Sequence, residues 1–145
     1  MKTLIISAAS RADITSAIIQ INIHRTAHSQ CSALVAIGKY GFDFKFTKAG
    51  TSRVTVREGE QFIFAEDMPD STVDFESWLA AQLSFALNRI NVQLEFLRAE
   101  IRAECISYGE LVCLQDLAGF ICESDVELLE AAGVPEFVDD LGASA

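Results

Sequence analysis

The chain has 145 residues, half of them hydrophobic, and a formal net charge of −10. That length suits one domain with a sizeable core, the composition is too apolar for a disordered protein, and no apolar run is long enough to cross a bilayer. An acidic total also argues against duplex DNA as a partner, since phosphate contact needs clustered positive charge.

The first ten residues hold Lys2, the short apolar stretch Leu4-Ile5-Ile6 and small residues. The stretch is too short for a secretory signal, and Arg11 and Asp13 follow it closely, so the expected compartment is the cytoplasm. Residues 12–28 support two readings. Ile14, Ile18 and Ile21 suit a helix, whereas Ile19, Ile21 and Ile23 suit a strand; length favours the helix. On a helix, His24, His28 and Cys31 fall at i, i+4 and i+7 on one face. Imidazole and thiolate are good zinc ligands, which makes these three the candidate metal ligands. Histidines near a helix end also serve the helix dipole, and Arg25 after His24 breaks the H-E-x-x-H pattern of a metalloprotease. No cofactor is expected.

Four antiparallel strands follow as a meander. Cys31–Ile37 is a short apolar run. Over 41–48, Phe42, Phe44 and Phe46 alternate with Asp43, Lys45 and Thr47. Residues 52–57 alternate around Val54 and Val56, and 61–65 around Phe62 and Phe64. The joints are short and contain glycine, as hairpins require. One face should be buried and the other wet. The Gly-aromatic alternation at Lys39–Phe46 invites comparison with an RNA-binding strand. There the face opposite the stacking aromatics is apolar, and here it is Asp43, Lys45 and Thr47. The phenylalanines are therefore expected in the core. Gly38-Lys39 is not a phosphate loop, because Ala33 stands for the upstream glycine and Tyr40 for the Ser or Thr that would coordinate magnesium.

A polar break around Pro69 separates two unlike halves, a β-rich part (1–66) and a helical part (72–141), within one expected domain. Up to Arg57 eight basic residues face two acids, a net +6; from Glu58 onward three face nineteen, a net −16. Over 75–106 the period is helical. Leu79, Leu83, Ala86, Ile90, Leu94, Leu97, Ile101 and Cys105 form one stripe, and Trp78, Phe85, Val92 and Phe96 a second. Such a helix must be covered on both sides, by the phenylalanine face of the sheet, by the C-terminal helices or by a second subunit. The last option makes a homodimer the expected oligomer. A second helix is expected over 110–121. A third starts at Ser124-Asp125-Val126-Glu127, which has the form of a capping box, and stops at Gly133 before Pro135. The four cysteines include no C-x-x-C pair, and Cys105 and Cys113 have apolar neighbours, so buried thiols are expected.

The fold class is thus α+β: a four-stranded antiparallel meander, preceded by a helix or strand, packed on a long helix and followed by two shorter helices. No catalytic motif stands out, and the chain is not expected to be an enzyme. The expected function is that of an acidic interaction protein that inhibits or chaperones a macromolecular partner. Glu123, Asp125, Glu127, Glu130, Glu136, Asp139 and Asp140 would present the anionic surface to a basic, nucleic-acid-binding protein. The alternative is an oligomeric binder of a small anion such as a nucleotide, through Arg25, Lys39, Tyr40, Arg53 and Arg57. A His/Cys metal protein comes third. No membrane association is expected.

Overall fold

A computed structural model describes residues 2–69 and 74–133. The chain forms two compact units, Met1–Asn88 and Arg89–Ala145.

The N-terminal unit begins β1 (Lys2–Ala8), α1 (Arg11–Ala27), β2 (Cys31–Ile37). Residues 12–28 therefore settle as a helix. Ser10 Oγ accepts the Asp13 N–H at 3.2 Å while Asp13 Oδ2 accepts the Ala9 N–H at 2.9 Å, a reciprocal cap that starts the helix. Ile14, Ala17 and Ile21 form its buried stripe, and Ile19 and Ile23 are left exposed. The strand-like spacing of the isoleucines loses because only the helical spacing buries a continuous face.

The meander follows as β3 (Tyr40–Phe46), β4 (Ser52–Glu58) and β5 (Gln61–Asp67). The turns begin at Gly38 and Gly59, whose φ values of 58° and 61° place them in the left-handed region that favours glycine. The four-stranded, purely antiparallel expectation is corrected here. The sheet has five strands in the order β1-β2-β3-β4-β5, and β1 runs parallel to β2. A parallel neighbour needs a crossover, and α1 supplies it. The sequence signal for β1 was hidden because its apolar core, Leu4-Ile5-Ile6, does not alternate.

One sheet face is the core of this unit. Phe42, Phe44 and Phe46 are stacked along β3 and buried. Phe44 meets Trp78, and Phe46 meets Phe75, ring edge to ring face. Phe75 and Trp78 lie in the first turns of α2 (Phe75–Arg102). Tyr40 and Phe64 both contact Phe85, two helical turns beyond Trp78. Along β5 the expected alternation breaks. Val56 pairs with Phe64 but Arg57 pairs with Phe62, so Ile63 is an extra residue, a β-bulge. Phe64 stays on the core side, and Phe62 turns to the opposite face, 57% exposed.

The C-terminal unit holds the rest of α2, α3 (Tyr108–Asp116), a short 3₁₀ turn (Ala118–Phe120) and α4 (Val126–Ala131). Its buried residues include Ile90, Leu94, Leu97, Leu114, Leu117, Phe120, Ile121 and Leu128. α3 starts with a full capping box between Ser107 and Glu110. α4 starts one residue later than expected, because Asp125 rather than Ser124 caps it by accepting the Leu128 N–H. The second apolar stripe of α2 divides: Trp78 is buried, whereas Val92 and Phe96 are 70% and 54% exposed. Cys31 is buried, but Cys105 and Cys113 are exposed, as is Cys122; the expectation of buried thiols in this half is corrected. Among the described residues no helix is long and apolar enough to cross a membrane.

Candidate functional site

The helices of the N-terminal unit cover one sheet face, and the other face carries the exposed apolar side chains Ile5, Leu34 and Phe62. Two rows of side chains cross it in register. Ile5, Leu34, Asp43 and Thr55 make one row; Ser7, Ala36, Gly41 and Arg57 make the next, which Phe62 continues. Ser7, Ala36 and Gly41 are small, so the second row is a trough of about 450 Å³. Ile5, 75% exposed, and Leu34, 41% exposed, wall it on one side. A Cβ built on Gly41 would meet no atom within 4 Å, so the space above the strand is open.

The trough has polar groups as well. Asp43 Oδ1 is buried without a hydrogen-bond partner among the described residues, with Lys45 Nζ 3.7 Å away. Arg57, diagonal to Asp43 across the β3–β4 ladder, forms no ion pair among the described residues. The Asp43 side chain as a whole is half-exposed and can accept an N–H from a bound chain, and Arg57 can donate to a carbonyl or carboxylate.

The expected anion-binding residues do not converge. Arg57 lines the trough. Lys39 lies 3.9 Å from Glu58, and Arg53 is bonded to Asp67 at 2.8 Å. Tyr40 is buried on the core face. Arg25 lies on α1 with its guanidinium 3.9 Å above the Phe75 ring, an arrangement in which the ring face attracts the cation.

His24, His28 and Cys31 do come together, but as a packing cluster. The imidazoles meet edge to face with centroids 4.9 Å apart. His24 Nε2 donates to the Ser32 carbonyl at 3.1 Å. The Cys31 thiol points at the His24 and His28 carbonyls at 3.9 and 3.8 Å, and burial pushes its pKa up against the opposing charge of Arg25. Among the described residues no group of three or more His, Cys, Asp or Glu side chains is placed to hold a metal ion.

The acidic candidates have two fates. Arg98, its side chain 16% exposed, binds Asp125 through paired hydrogen bonds and Glu127 at 2.8 Å, with Glu95 at 3.1 Å. Arg102 bonds Glu127 through two nitrogens at 2.9 and 2.8 Å. Hydrogen bonds from Arg102 and Arg98 hold the Glu127 carboxyl down at about 2, and Arg98 lowers that of Asp125. These two carboxylates fasten α4 to the second half of α2. Glu123 and Glu130 are exposed and enter none of these pairs. Glu136, Asp139 and Asp140 lie outside the described residues. What sequence reasoning missed is the trough itself: its signal was the small residue in each of three successive strands, which is visible only once the register is known.

Comparison of the chain with protein-family models, with curated proteins and with solved structures gave no match.

Proposed function

We propose that this is a non-catalytic interaction protein that holds a short apolar segment of a basic protein partner on the open face of its N-terminal sheet, and so restrains or chaperones that partner. The observation that carries the reading is the trough over Gly41, with Ile5 and Leu34 exposed beside it. Apolar surface grouped on one sheet face favours association over solvation. A trough spanning four strands is about 15 Å long at roughly 4.8 Å per strand, the length of four or five extended residues. Asp43 and Arg57 supply the backbone contacts that such a segment needs. The net charge of −10 attracts partners of opposite sign over long range. We place the protein in the cytoplasm, where its exposed thiols stay reduced.

The test is selection from a random peptide library on the wild-type protein, with counter-selection on Gly41→Trp. Gly41 does not have a positive φ, and glycine weakens a strand interior, so the variant keeps the fold while filling the trough. Apolar peptides with lysine or arginine flanks should be enriched on the wild type and lost from the variant. Peptides retained equally by both proteins would rule the trough out as the docking surface.

A homodimer is the second reading, favoured by Val92 and Phe96, which are exposed one helical turn apart in line with exposed Ala99. Sedimentation should give a dimer that Phe96→Glu converts to a monomer; a wild-type species of 15.8 kDa at micromolar concentration would remove this reading.

A further inference from the structure

The N-terminal unit holds a second cavity, separate from the trough, where the end of α1 faces the β3–β4 turn. It has a volume of about 530 Å³ and is lined by Arg25, His28 and Lys48 together with Ser29, Thr47 and Thr51. No carboxylate is among its lining residues as far as the described residues go, which is unusual in a chain with twenty-one acids. Two cations and an imidazole therefore share one polar basin without a counter-charge among the described lining residues.

We infer that this cavity binds a phosphomonoester. Arg25 has its guanidinium carbon 3.9 Å from the Phe75 ring centre, a cation–π contact that restrains the group and leaves N–H groups to donate. A fixed guanidinium suits a tetrahedral oxyanion, to which it can donate two parallel bonds. Lys48 supplies a mobile point charge from the turn. The turn is braced from within: the Thr47 and Thr51 hydroxyls are 2.6 Å apart, and the Gly50 N–H donates to the Thr47 carbonyl at 3.0 Å.

The end of a helix carries partial negative charge that opposes an anion. Here two of the last carbonyls are occupied. His24 O accepts the His28 N–H at 3.2 Å and lies near the Cys31 thiol, which also points at His28 O. The volume exceeds what a bare phosphate fills and falls in the range of small-molecule sites, so an organic phosphate should be preferred over inorganic phosphate.

Calorimetric titration of the full chain with AMP, glucose 6-phosphate and inorganic phosphate tests this. At least one phosphomonoester should bind saturably and more tightly than inorganic phosphate. Arg25→Gln and Lys48→Gln should each weaken it about tenfold, as expected for losing one charged contact. Lys39→Gln makes the same charge change at a residue paired with Glu58 and should leave affinity unchanged. Trp78, the one tryptophan, lies 6.2 Å from Phe75, so its fluorescence should respond to ligand in the wild type. Lys48 is exposed on a turn, so Lys48→Gln reports even if Arg25→Gln perturbs packing. Absence of saturable binding by all three probes overturns the assignment, as does equal weakening by Lys48→Gln and Lys39→Gln.

Discussion

Phe44 has no exposure and touches three aromatic rings, those of Phe42, Phe46 and Trp78. Removing it opens a cavity that its stacked neighbours cannot close, so Phe44→Ala should cost about 3–5 kcal/mol in urea denaturation. Ser52 is the opposite case. Its hydroxyl is buried and has no hydrogen-bond partner among the described residues. Folding strips that group of water without replacing the bond. Ser52→Ala should therefore be neutral or raise stability by up to about 1 kcal/mol, and a loss as large as that of a core truncation would mean the hydroxyl has a partner. The phenylalanine face of β3 was legible at this scale because its alternation with Asp43, Lys45 and Thr47 left only one face fit for burial. The exposure of Phe62 was not, because a single extra residue, Ile63, reverses the face of a strand whose composition looks regular.

At the scale of the element, the join between α2 and α4 is electrostatic. The folded carboxyl of Glu127 lies at about 2 against an ordinary 4.5, and that of Asp125 lies below its ordinary value. Both are depressed, so their contribution to stability is complete above about pH 4.5 and is lost as pH falls toward 2. The urea midpoint should drop between pH 6 and pH 3 in the wild type, and drop less in Glu127→Gln, which lacks the titrating group. Equal drops would show that the network does not couple to folding. Arg98→Ala leaves Asp125 partly buried and unpaired, and should cost about 2 kcal/mol. The sequence announced that α4 begins near Ser124, since Ser-Asp-Val-Glu has the capping pattern, but not that Glu127 turns to arginines twenty-five and twenty-nine residues away. Such long-range pairing leaves no local periodicity. The same limit hid the parallel pairing of β1, whereas the helical identity of α1 was available in Ser10 and Asp13.

At the scale of the molecule, charge is divided between the two units. Residues 1–88 hold eight basic side chains against nine acidic, a net −1, and residues 89–145 three against twelve, a net −9. In the proposed reading the acidic unit would steer a basic partner, because fields from unpaired surface charges reach about a Debye length. Association with a basic partner should slow markedly as salt rises from 50 to 500 mM while the dissociation rate changes little; a salt effect confined to dissociation would place the acids in direct contact instead. Docking on the open sheet face is tested by amide chemical-shift mapping with a selected peptide. Shifts should concentrate at Ile5, Leu34, Ala36, Gly41 and Arg57. Shifts confined to α1, or to the acidic unit, with those five amides unmoved, would contradict it.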